Sequence, residues 1–423
     1  MDHAHPAPVE TPAPPVLHSP SIPPLLREAA DPSALPPVLP VPPVRQFISP
    51  LVFVGLGALL LAAGLATFAK GELGHFLQGS WQVVVFAVMC VLAYLGLGRP
   101  WARVLAWLVL GLALLLSAGM NLGFTYLALS GGELGDKPFN SLPAGGAAVL
   151  GLVFVATLLA AQSALLARLP SFQRVCTLLT GNDEWTSVRQ LALATVVSFT
   201  VVCCVPLAAL GQPPLLQALQ SSPGAVSLIT DGRGAAGMLR DQMYALTWTL
   251  MAAALAVGYG IRRNGPETLE RLGLKRISIR QLGGAVLLTG LLLGLAQLAD
   301  VGITRLWQGF GWPMTDLAAV EALFDPFISP LGAVVIGITA GVGEEVAVRG
   351  ILQPRLGILL SNLFFTALHA YQYNWDGLFS VFLTGLALGF IRKQTSTTVS
   401  AIVHGGFDFV LVIAAVLQGG AGE

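Results

Sequence analysis

The chain has 423 residues, 55% of them hydrophobic and only 10% charged, with a mean hydropathy of +0.75. Soluble domains carry about 25% charged residues, so a water-soluble globular enzyme is excluded and the composition describes a polytopic membrane protein. Lys plus Arg and Asp plus Glu balance at 22 each, which leaves no cationic surplus to neutralise phosphates, and no nucleic acid is expected as a partner.

Residues 1–46 hold 14 of the 28 prolines, which remove backbone donors and helical freedom together. Segment 1–48 is therefore expected to be a disordered Pro-rich tail. It lacks the basic start of a signal peptide, and the first long apolar run begins only at Leu51. Apolar runs approaching the roughly 20 residues that a bilayer requires then follow at 51–69, 81–98, 104–127, 144–167, 190–211, 243–261, 282–304, 329–347, 358–374, 377–391 and 396–416. The expected fold class is all-α, a polytopic transmembrane bundle of about 11 helices. With a cytoplasmic N-terminus and strict alternation, 17 of the 22 Lys and Arg fall inside and 5 outside, the bias that sets orientation in membrane proteins. Cys90, Cys176, Cys203 and Cys204 show no CxxC spacing and read as small apolar core residues.

Two longer connections interrupt the pattern. Residues 212–242 are rich in Gly, Pro and Ser and are expected to form an outer loop with room for a short interfacial helix. Residues 262–281 carry 6 cations among Leu269, Leu272, Leu274 and Ile277, as a helix lying on an anionic leaflet would. They divide a membrane region of about six helices, 49–265, from a second membrane domain, 282–416, with 266–281 as a basic interfacial linker.

Ionisable groups within apolar segments cost about 2.5–3.5 kcal/mol each on insertion scales, so each is a functional hypothesis. They gather in the last five runs. Glu344 and Glu345 precede Arg349, and Glu345 and Arg349 share a helix face at a spacing of four. His369 follows Phe365 by four residues, and Asp408 follows His404 by four. At 1.5 Å per residue, Glu344, His369 and His404 all fall in the same half of the bilayer, the cytoplasmic one in this orientation. Taken singly, a Glu beside an Arg is a neutralised pair, a lone helix histidine a satisfied core group, and His404 with Asp408 an interhelical clamp. Meeting at one depth is what favours chemistry. Trp375, Tyr371 and Tyr373 sit at the expected outer end of their segments and read as an interfacial aromatic belt.

A carboxylate in an apolar pocket suits a general base that takes a proton from water, and an imidazole oriented by a carboxyl partner can stabilise a developing oxyanion. That combination hydrolyses amides. HExxH is missing from the sequence, and no Ser or Cys lies in a recognisable nucleophile setting. The same Glu344, His369 and His404 would alternatively serve as three ligands of a catalytic zinc, so the residues leave open whether water is activated with or without a metal.

Glu344-Glu345-x-x-x-Arg349, Phe365-x-x-x-His369 and His404-x-x-x-Asp408, in that order on successive apolar segments, resemble the three motifs of the CPBP family of intramembrane proteases, which includes CAAX prenyl endopeptidases and abortive-infection-type membrane proteins. The likeness covers residues from about 270 to 416. It implies an intramembrane endopeptidase of a bacterial inner membrane acting on a membrane-associated protein or peptide near the cytoplasmic face. Glu344 would activate water with the help of His369, while His404 and Asp408 would bind the substrate carbonyl or oxyanion and Glu345, Arg349 and Phe365 would support the site. The family accepts Asn or Asp at the last position, so Asp408 would be protonated where it binds the oxyanion or would orient His404 instead. Two other classes compete: a catalytically silent membrane scaffold or immunity-type member of the family, and a proton-coupled transporter, which calls for ionisable residues in both leaflets.

Overall fold

Runs of Leu, Val, Ala and Gly leave the backbone no partner but itself in an apolar medium, and the chain answers with helices throughout. The computed structural model describes residues 48–130, 142–181, 183–221 and 234–419; the Pro-rich tail and the middle of the 212–242 loop lie outside them. The architecture is an all-α bundle, and among the described residues the only β pairing is a single bridge, Tyr259 to Arg263.

Among the described residues seven helices, or up to eight if one bent pair counts as a single span, are long and apolar enough to cross a membrane, fewer than the 11 runs suggest. Pro50–Leu65 has only 16 residues, about 24 Å of helix against a hydrocarbon core of about 30 Å. Trp81–Leu95 reaches spanning length only together with Gly71–Gln78, to which it is bent by 43°. Run 243–261 is the second half of Ala235–Ala256, whose opening turns carry Arg240 and Asp241. Run 329–347, bar its first residue, and the first ten residues of run 358–374 belong to one 38-residue element, Pro330–Ala367.

That last element doubles back on itself. Arg349 lies 4.6 Å from the ring centre of Phe365, although a straight helix would hold the two about 24 Å apart. The reversal is at Gly357, where φ is 75° and ψ 177°, a conformation open to glycine and strained for other residues. Both apolar runs therefore exist as separate legs of a hairpin.

The expected amphipathic helix over 262–281 is shorter than anticipated. Asn264 and Glu267 form a capping box that starts Gly265–Leu272, and Gly273 ends it with φ 73°. A second capping box, Ser278 with Gln281, then opens the 32-residue helix Ile279–Phe310, so this span begins three residues before the apolar run does. The stretch between is laced to the last helix, because Thr398 Oγ1 accepts from Lys275 N at 2.8 Å and donates to Lys275 O at 3.0 Å.

The site depends on one close crossing. A Cβ at Gly405 would lie 2.2 Å from the Gly337 carbonyl oxygen, and one at Gly341 2.6 Å from that of Ala401. Gly337 and Gly341 thus meet Ala401 and Gly405 as small residues four apart on each helix, a pattern that lets membrane helices touch backbone to backbone. This contact carries Thr397–Gly419 against residues 330–352.

Candidate functional site

Residues 339–352 wind as a π-helix of 14 residues. Such turns are rare and concentrate at functional sites, and this one carries Glu344, Glu345 and Arg349. Its wider winding lets two successive carboxylates reach the same histidine on the facing helix. Nδ1 of His404 is 3.1 Å from Glu345 Oε1, and its Nε2 is 3.9 Å from Glu344 Oε2 and 3.5 Å from Asp408 Oδ2.

The two glutamates live in different surroundings. Glu345 is 0% exposed; one oxygen accepts from His404 Nδ1 and faces Arg349 Nε at 3.6 Å, and the other accepts from the Ser400 hydroxyl at 2.5 Å. Every side of this carboxylate is engaged. The Glu344 side chain keeps 40% of its surface exposed, and among the described residues its one ion-pair neighbour is the histidine. Because Glu345 is gripped by donors, the network assigns a proton to His404 Nδ1, which aims Nε2 at Glu344 and Asp408.

Arg349 is itself buried and donates from Nη2 to the Gly385 carbonyl at 2.9 Å. It reaches that carbonyl because Gly385 has no side chain: a Cβ there would sit 1.9 Å from Asn362 Oδ1 and 3.2 Å from Arg349 Nη2. Phe365 forms the floor between the two histidines, with ring centres 4.9 Å from His369 and 6.2 Å from His404. His369 stacks on Tyr373 at 6.1 Å, and its Nδ1 bonds the Phe365 carbonyl at 2.9 Å. Tyr373 in turn faces the charges of Asp408 and Glu344.

The structure therefore brings Glu344, Glu345, Arg349, His404 and Asp408 into direct contact and joins His369 to them through Phe365 and Tyr373. Among the described residues no three His, Cys, Asp or Glu side chains are arranged to hold a metal ion. The zinc set of Glu344, His369 and His404 does not fit this geometry, and no step below runs through a metal.

Sequence reasoning missed two supports. Ser400 lies one turn before His404 and was hidden by the ordinary appearance of a serine near a helix start. Asn121, 0% exposed in the middle of Pro100–Leu129, donates from Nδ2 to Thr157 Oγ1 and to the Val202 carbonyl, both at 3.0 Å, and accepts from the Tyr371 hydroxyl at 2.6 Å. Leu215 N also bonds the Tyr371 carbonyl at 3.0 Å. Tyr371 is thus a clasp between the N-terminal membrane region and the turn that carries His369, in place of the interfacial belt residue expected of it. The available signal was an amide in an apolar run, which membrane burial obliges to find partners.

Residues 326–410 match the family model described as type II CAAX prenyl endopeptidase Rce1-like. The match spans Glu344 to Asp408, so these residues are similar to the family that the three motifs resemble, within a chain whose long apolar helices suit a multi-pass membrane protein. No curated protein and no solved structure matches the chain.

Proposed function

We propose that the chain is an intramembrane endopeptidase that hydrolyses a peptide bond of a membrane-associated protein or peptide near the cytoplasmic face of a bacterial inner membrane, with its N-terminus in the cytoplasm. The observation that carries this reading is the division of labour between adjacent carboxylates: Glu345 is buried and spent on holding His404, whereas Glu344 is 40% exposed beside the nitrogen that Glu345 has aimed.

In this mechanism Glu344 takes a proton from a water molecule as its oxygen attacks the carbonyl carbon. His404 Nε2–H meets the oxyanion that forms, with Asp408 holding the ring in place. Three carboxylates converge on His404, so a proton on each ring nitrogen has an acceptor. Glu344 then passes its proton to the leaving amine as the C–N bond breaks, and a carboxylate and an amine leave. His369 completes the wall across from Glu344 and assists proton movement there.

The test is incubation of detergent-purified protein with a panel of membrane-anchored and C-terminal peptides, with and without a strong chelator. The expected result is cleavage of at least one member at a rate that the chelator leaves unchanged. Cleavage abolished by the chelator and restored by zinc would replace this mechanism with a metal-dependent one. A folded protein that cuts nothing in the panel would favour the silent scaffold.

A further inference from the structure

Four arginines from three parts of the chain gather at the end of the bundle that the charge bias assigns to the cytoplasm. Arg262 and Arg263 follow Ala235–Ala256, Arg271 sits on Gly265–Leu272, and Arg355 lies just before the Gly357 reversal. At their centre is the nearly buried Tyr94. Its hydroxyl is 2.6 Å from Arg355 Nη2 and 3.4 Å from Arg263 Nη1, and Arg271 also acts on it electrostatically.

Like charges in a partly buried place repel, and in most proteins a carboxylate offsets them. Here, among the described residues, no carboxylate is within ion-pair distance of any of the four. Glu184 acts on Arg262 from further away. The cations are satisfied instead by carbonyls at helix ends: Arg271 donates to Gly350 at 2.8 Å, and Arg355 to Ile351 at 2.5 Å and to Ala256 at 3.2 Å. Arg263 donates to the Val257 carbonyl. Burial, with Arg355 and Arg263 nearby, makes Arg271 a weaker base than an ordinary guanidine.

Arg262 is the exception that points to a ligand. It is 93% buried, its Nε is sealed from solvent without a hydrogen-bond partner, and it lies within electrostatic reach of both Tyr94 and Arg263. A buried guanidinium with an unpartnered Nε–H, beside three more cations and with no acid at ion-pair distance among the described residues, suits an anion.

We propose that Arg262, Arg263, Arg271 and Arg355 form a binding site for a phosphate-bearing anion, the chemistry shared by an anionic phospholipid headgroup and free phosphate. The forked donors of Arg suit phosphate oxygens. Leu269, exposed on the same short helix as Arg271, places the site at the level where headgroups lie. An occupied site also braces the catalytic element, since Arg271 and Arg355 grip the carbonyls immediately after Arg349.

The test uses the full chain in phosphatidylcholine nanodiscs, with bound lipid counted by native mass spectrometry and unfolding followed by temperature. Phosphatidylglycerol is titrated in one arm and inorganic phosphate in the other. Phosphatidylglycerol is expected to bind and raise the melting midpoint of the wild type by several degrees. Arg262→Gln is expected to weaken that binding roughly fivefold, the effect of one cation near an anionic headgroup. Among the described residues the Arg262 side chain makes no hydrogen bond, and its backbone bond to the Gly258 carbonyl is untouched by the substitution, so this variant keeps its fold in the neutral lipid, and Arg271→Gln provides a second reading. Stabilisation by phosphatidylglycerol alone assigns the site to a lipid, and stabilisation by both ligands assigns it to phosphate in general. No stabilisation by either ligand, or undiminished binding by Arg262→Gln and Arg271→Gln, overturns the proposal.

Discussion

A Glu345→Ala chain is expected to lose about 3–5 kcal/mol of stability, the cost of removing one partner from a buried charge pair. Arg349 is 1% exposed and would keep the Gly385 carbonyl and the Phe365 face but no counter-charge. His404 Nδ1 and the Ser400 hydroxyl would lose their acceptor in the same step. Glu345→Gln keeps the shape and an acceptor oxygen but removes the charge, so its expected loss is smaller, about 1.5–3 kcal/mol. Thermal or denaturant unfolding in detergent measures both. A wild-type midpoint for Glu345→Ala would show that the buried pair contributes nothing and that the division between the two glutamates is misread.

The second large effect is expected at His404, and it separates chemistry from stability. In His404→Gln an amide still donates to Glu345, so the midpoint should move little. The group facing the oxyanion is lost, and turnover should fall about 10²–10³-fold, the usual cost of one such donor. The loss should appear in kcat with KM nearly unchanged, because the interaction forms only in the transition state. A variant with raised KM and intact kcat would make His404 a binding residue instead.

Much of the site could be read before any geometry because it is built from side chains that membranes exclude. Glu344, Glu345, Arg349, His369, His404 and Asp408 stand out in apolar runs, and spacings of four announced the Glu345–Arg349 and His404–Asp408 contacts, which close at 3.6 Å and 3.5 Å. At 3.6 residues per turn, an ordinary helix would point Glu344 about 100° away from Glu345. The π-helix over 339–352 departs from that winding, and the packing of Gly337 and Gly341 on Gly405 that sets it against the last helix is a long-range contact with no local periodicity. Helix count suffered from a related blindness: composition marks apolar runs but not bends, so the 43° break at residues 78–81 and the shortness of Pro50–Leu65 left no trace in hydropathy. The Gly357 reversal was partly visible, because the apolar pattern lapses between 347 and 358. Asn121 was visible as an oddity, but its partner, Tyr371, lies 250 residues away, and only the fold pairs them.

The most direct measurement is turnover of one cleaved peptide by wild type and Glu344→Gln, prepared alike and matched in melting midpoint. Among the described residues the one ion-pair neighbour of Glu344 is His404, at 3.9 Å, so the amide should fold as the acid does while being unable to take a proton from water. The account predicts that cleavage by Glu344→Gln falls at least 10²–10⁴-fold, the contribution of a positioned general base, with no change in the midpoint. Cleavage at the wild-type rate would contradict it, because the base would then have to be another residue.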